Sequence, residues 1–133
     1  MGMDVSGLAP KNESGVYFRA NIWSWRPIHE LMCDLCGDII DDETLAGMSH
    51  NQGDGVKSQE ICDEIALRFT IWMASNGAGH SIDSTHIGVR EDGRLVTGDA
   101  VVDEVLKSPY WVEHEHLEEW VTFLRNCGGF EVW

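Results

Sequence analysis

GVYFRANIWSWRPIHELMCDLCGDII, residues 15 to 40, is the stretch whose reading decides the fold. Tyr17, Phe18, Trp23 and Trp25 come first, then Pro27, then an apolar stripe at Ile28, Leu31, Met32, Leu35, Cys36 and Ile39. Those positions recur at the helical period, with His29, Glu30, Asp34 and Asp38 on the other side. Proline suits a first helical position, where its missing N–H is no loss. The spacing predicts a helix over 27–40, opened by Pro27 and ended by the acidic turn at Asp41 and Asp42. Large aromatic side chains bury roughly 150–250 Å² each, so the four upstream rings are expected to dominate the core.

Outward from that stretch, Met3 to Val5 reads as a short opening strand and residues 7–15 as a loop. Residues 41–57 are turn-rich, with three glycines and the polar run Ser49, His50, Asn51, Gln52. A second helix is expected after an N-cap at Ser58, packing through Ile61, Cys62, Ile65, Phe69, Trp72 and Met73 and ending near Asn76 and Gly77. Ile87 to Thr97 reads as a β-hairpin on a two-residue Asp92–Gly93 turn, a register that sets Val89 opposite Val96 and Glu91 opposite Arg94. Asp99 caps a short helix that Pro109 stops, and a last helix over 113–126 packs through Leu117, Trp120, Val121 and Leu124. Phe130 to Trp133 alternates like a strand and is expected beside Met3 to Val5. The expectation is one α+β domain over residues 1–133, three main helices on a small antiparallel sheet with the terminal strands close together.

Charge narrows the function. The chain of 133 residues carries 23 acidic side chains against 9 Lys plus Arg, a net charge of −14. Such a surface repels phosphate backbones, which argues against direct nucleic-acid binding and suits a protein partner with a basic surface. No apolar run approaches the ~20 residues that span a bilayer, so no membrane is expected. The first fifteen residues lack an apolar signal segment, and Cys33, Cys36, Cys62 and Cys127 then read as reduced thiols in a cytoplasm.

Between Glu13 and Glu30 there is no acidic residue, yet Arg19, Arg26 and His29 are there. An anion repelled elsewhere would be received here. Arginine stacks on aromatic rings and grips carboxylate or phosphate with a planar fork. Arg19, Arg26, Trp23, Trp25, Tyr17 and Asn21, joined by His50 and Asn51 from the following turn, therefore form a candidate pocket for a small nucleotide-like anion. The plainer alternative makes the rings core and pairs both arginines with surplus carboxylates.

Metal and catalytic readings are thinner. His29, Cys33 and Cys36 share one helix flank, and zinc would need a fourth ligand such as Cys62 or His50. Free cysteines commonly just pack, and no cofactor is expected. The Cys33–Cys36 pair lies inside the helix and not at its N-terminus, which disfavours redox chemistry. His114 and His116 point ~200° apart on a helix and cannot share one ion unless the segment is extended. No nucleophile elbow or phosphate loop is present, so the expectation leans away from an enzyme. Acidic clusters at Asp38, Asp41, Asp42 and Glu43, and at Glu113, Glu115, Glu118 and Glu119, offer faces to a basic partner.

MGMDVSGLAP at the start, GVYFRANIWSWRP after it, the SHNQGDG turn and FLRNCGGFEVW at the end resemble, taken in order, a family of small uncharacterised bacterial and bacteriophage proteins. That family has a similar MGMDV opening, a YFRNN-aromatic-WRP element and a GGFE-type C-terminus. The resemblance covers about half the chain, mainly its two ends. It implies a shared fold and a bacterial or phage origin and carries no activity. Many members carry a cysteine-rich CxxC insert before the last helix; residues 80–110 here are cysteine-free, so no metal role transfers. Acidity, the missing catalytic set and this resemblance together lead to the expectation of a non-enzymatic cytoplasmic binding or interaction protein of accessory or inhibitor type.

Overall fold

A computed structural model describes residues 2–50, 52–76, 80–82, 87–89, 95–97 and 110–133. The elements are β1 (Gly2–Gly7), a 3-10 turn (Glu13–Gly15), β2 (Tyr17–Asn21), α1 (Ile22–Cys36), α2 (Asp42–Gly47), α3 (Gln59–Ser75), β3 (His80–Ile82), β4 (Ile87–Val89), β5 (Leu95–Thr97), β6 (Tyr110–Val112), α4 (His114–Asn126) and β7 (Phe130–Val132). The fold is α+β, as expected. Its principal sheet is antiparallel with order β2-β1-β7, so the two ends of the chain pair, Val5 opposite Val132.

The first helix begins five residues earlier than the proline predicts, at Ile22. Asn21 is the reason: its side-chain oxygen accepts from the Ser24 N–H at 2.9 Å, and an Asn cap outweighs the proline signal. Pro27 therefore sits inside the helix, where it supplies no N–H to the carbonyl one turn back. The helix stops at Cys36, short of residue 40. α2 stands where a turn-rich segment was expected. Asp41 caps it, accepting from the Thr44 N–H at 3.0 Å and from the Thr44 hydroxyl at 2.7 Å. α3 starts after its Ser58 cap and ends before Asn76, as its sequence predicts.

The β4–β5 hairpin forms in a different register. Val89 pairs with Leu95 and Gly88 with Val96, one residue away from the arrangement that the two-residue turn predicts. An odd-numbered connection produces that pairing, and the shift exchanges which residues share a face. The turn residues themselves, and the helix expected after Asp99, lie outside the described residues. β3 and β6 form a separate antiparallel ribbon that packs on α1.

Trp120, on α4, is the centre of the core. Phe18 of β2, Trp25 of α1, Phe69 of α3, Phe123 of α4 and Phe130 of β7 all meet its ring, with centroids 5.1 to 6.4 Å away. Of the four upstream aromatics expected in the core, only Phe18 and Trp25 are buried; Trp23 is half-buried and Tyr17 is 47% exposed. Alternation along β2 separates Tyr17 from Phe18, and helical periodicity separates Trp23 from Trp25. Below the rings, the buried thiols of Cys62 and Cys127 touch, and Cys127 also reaches the Leu124 carbonyl at 3.4 Å.

The free side of β7 is covered by residues 53–56. Phe130 N–H donates to the Val56 carbonyl at 2.7 Å, Val132 N–H to Asp54 at 2.8 Å, and Gly53 N–H to Val132 at 2.8 Å. Gly55 is required for this approach, because a Cβ there would lie 1.9 Å from the Phe130 oxygen. One margin of the sheet is thereby closed, and β2 forms the other.

Candidate functional site

The Arg and Trp residues of the expected pocket are distributed over two concavities. Tyr17 and Arg19 point outward from β2, whose exposure alternates from residue to residue, and line a cavity of about 510 Å³. Its other wall is α4, with Glu115, Glu118, Glu119 and Thr122, and its floor includes Phe18 and Phe123. Trp25, Arg26 and His50 line a second cavity of about 380 Å³ with His29, Glu30 and Ser49. Asn21 is the α1 cap, which explains it without a ligand. Trp23 lies in the first turn of α1, and Asn51 is outside the described residues.

In the larger cavity the charge is the reverse of what an anion site needs. Three carboxylates from α4 face one guanidinium. Asp4, directly opposite Arg19 in the β1–β2 register, adds a fourth acidic group beside Tyr17. The Tyr17 hydroxyl donates to the Asp4 carboxylate, and that bond raises the phenol above its ordinary value. His116 lies against the same strand: its ring is tilted against Phe18 with centroids 5.0 Å apart, and its Nε2 donates to the Arg19 carbonyl at 3.1 Å. His114 Nε2 instead meets Glu118 at 2.9 Å, so the two histidines go to separate partners.

The smaller cavity retains part of the expected chemistry. Arg26 and His50 are exposed and share it. Trp25 presents no open ring face, being fully buried with its indole N–H donated to the Met48 carbonyl at 2.8 Å. Glu30 brings a negative charge to the same wall.

The zinc stripe does not assemble. His29 Nε2 lies 2.5 Å from the Leu45 carbonyl, and the half-buried Cys33 sulfur is 3.8 Å from the same ring nitrogen. Cys36 is in the core, where burial pushes its thiol up to about 11. Among the described residues no three His, Cys, Asp or Glu side chains gather to hold a metal ion.

The two acidic clusters have different fates. Asp38 is committed to Arg68, whose guanidinium also reaches Glu64 at 3.1 Å and the Leu35 carbonyl at 2.7 Å. Asp41 is spent as a cap. On α4, by contrast, Glu115 and Glu119 face the groove alongside Glu118. What the sequence reading missed is that Tyr17 and Arg19 lie across from these glutamates. Strand alternation in 17–21, set beside the polar stripe 115, 118, 119, 122, is the signal that would have found it. No helix among the described residues is long and apolar enough to cross a membrane. Comparison with protein-family models, with curated proteins and with solved structures yields no match to this chain.

Proposed function

We propose that this is a non-enzymatic binding protein that takes a basic protein partner in the groove between β2 and α4, as a small accessory or inhibitory factor of bacterial or phage origin. The observation that carries the reading is the gathering of Glu115, Glu118 and Glu119 in one cavity with the exposed ring of Tyr17, over a floor of buried Phe18 and Phe123. A lysine or arginine stem lies well on aromatic surface while its head reaches carboxylates. Each exposed ion pair is worth only about 0.2–1 kcal/mol, so several must act together. The net charge of −14 adds long-range attraction, which speeds encounter and is screened by salt.

The test is affinity capture from lysate at low salt, run in parallel with the wild type and a Glu115→Gln, Glu118→Gln, Glu119→Gln variant. A basic protein recovered by the wild type and lost by the variant supports the reading. Identical recoveries, or none, overturn it.

A second reading, a small planar anion in the smaller cavity, is favoured by Arg26 and His50 sharing that wall. Thermal-shift screening against nucleotides, with Arg26→Ala as control, separates the two. A stabilising nucleotide whose effect vanishes in the variant would support the anion site, and no shift across the panel would remove it.

A further inference from the structure

Opposed residues in an antiparallel ladder alternate between pairs that exchange two backbone hydrogen bonds and pairs that exchange none. Gly7 N–H donates to the Val16 carbonyl at 3.0 Å. Counting along the register, the bonded pairs are then Val5 with Phe18 and Met3 with Ala20. Ser6 with Tyr17 and Asp4 with Arg19 are the unbonded ones. The far side of β1 agrees, because Asp4 N–H and C=O are both used by Trp133, at 3.3 and 2.7 Å.

The backbone groups of Tyr17 and Arg19, and the N–H of Asn21, therefore point away from β1 along the outer margin of β2. Among the described residues, only the His116 ring meets one of them, at the Arg19 carbonyl. The opposite margin of the sheet is covered by residues 53–56. The groove with Glu115, Glu118 and Glu119 runs beside the β2 margin, where among the described residues only the Arg19 carbonyl is taken.

We infer that the partner docks as an extended segment that adds an antiparallel strand to the outer edge of β2, with Lys or Arg at alternate positions facing α4. This rests on the proposed acidic-groove function and specifies its partner. An added strand gains affinity from main-chain hydrogen bonds and specificity from alternate side chains. Lying ~4.8 Å beyond β2, it turns every second side chain toward the helix wall. Those inward positions meet three carboxylates. The outward positions lie beside Tyr17 and Arg19, which disfavours a second row of cations there. A second copy of this chain is the wrong occupant, because edge-to-edge pairing would bring two chains of charge −14 together with their glutamates.

In an antiparallel pair the directly opposed residues exchange both backbone bonds and share a face, so the partner's bonds to Tyr17 and Arg19 come from its outward-facing residues. The probe is the blocked peptide Thr-Lys-Thr-Lys-Thr-Lys-Thr-Lys, with one analogue N-methylated at the threonines and another at the lysines. The threonine-methylated peptide is expected to lose roughly fivefold in affinity, the worth of the one backbone hydrogen bond to the Tyr17 carbonyl, since His116 already holds the Arg19 carbonyl. The lysine-methylated one is expected to bind like the parent. Hydrogen exchange at the Tyr17 and Arg19 amides is expected to slow with the parent peptide alone or with the lysine-methylated analogue. If all three peptides bind alike and those amides are unaffected, strand addition is wrong while the acidic groove stands. If none binds, the proposed function falls too. Amides already protected in the free protein, together with a dimer in sedimentation, would make a second copy the occupant and overturn the inference.

Discussion

Trp25 and Trp120 meet edge to face, their ring centroids 5.5 Å apart and their planes at 87°. This contact joins α1 to α4, and both rings are fully buried. Their indole nitrogens differ. Trp25 donates to the Met48 carbonyl, whereas the buried Trp120 N–H meets no acceptor among the described residues.

That difference separates two conservative substitutions. Trp25→Phe leaves the Met48 carbonyl without its donor, a cost of about 1–3 kcal/mol beyond the lost volume. Trp120→Phe deletes a donor that satisfies nothing and is expected to cost less. Trp120→Ala removes the ring that five others touch and is expected to cost about 3–5 kcal/mol. Urea unfolding of the three variants checks the order; a Trp120→Phe loss exceeding that of Trp25→Phe would contradict it.

Hydrogen bonds from Arg68 hold the Asp38 carboxyl below its ordinary value of 3.8. The folded state therefore prefers the ionised form. The associated stability is fully present above about pH 3.8 and drains away as pH falls through the lower folded value. Because the Asp38 side chain is 67% exposed, the effect is small. Asp38→Asn is expected to be slightly less stable than wild type at neutral pH, with the gap closing in acid below that window. Melting temperatures from pH 2 to 7 read this directly, and a gap that widened in acid would refute it.

Three of the four cysteines, Cys36, Cys62 and Cys127, are fully buried, and burial raises the thiol of the half-buried Cys33. A thiol-disulfide reagent at neutral pH is expected to label Cys33 alone in the native protein, more slowly than free cysteine. In denaturant all four should react. Fast native labelling at two or more sites would show that the helix-flank thiols are more open than this packing allows.

The elements whose signals are local and redundant were legible in the sequence. Ser58 before a long apolar stripe located α3, and the alternation of residues 130–133 located β7 beside β1. The start of α1 was not, because Pro27 and Asn21 both advertise a helix start and the Asn21 cap, with Trp25 packed against Trp120, favours the earlier one. The hairpin register failed for a similar reason, since Leu95 and Val96 are both apolar and the pattern does not say which of them stands opposite Val89. The site was half visible. Arg19 and Tyr17 stood out, but their neighbours on α4 lie almost a hundred residues away, a juxtaposition that only the β2–α4 packing creates. Expecting an anion beside Arg19 followed from counting charge along the chain, and the groove gathers charge across it.

The central claim is that the groove between β2 and α4 attracts positive charge. Titration calorimetry of the alternating Thr-Lys octapeptide at low and high salt, against the wild type and the Glu115→Gln, Glu118→Gln, Glu119→Gln variant, tests it most directly. Binding to the wild type that weakens steeply with salt, and is lost in the variant, is the predicted result. Equal binding to both proteins, or no binding to the wild type at low salt, would contradict it.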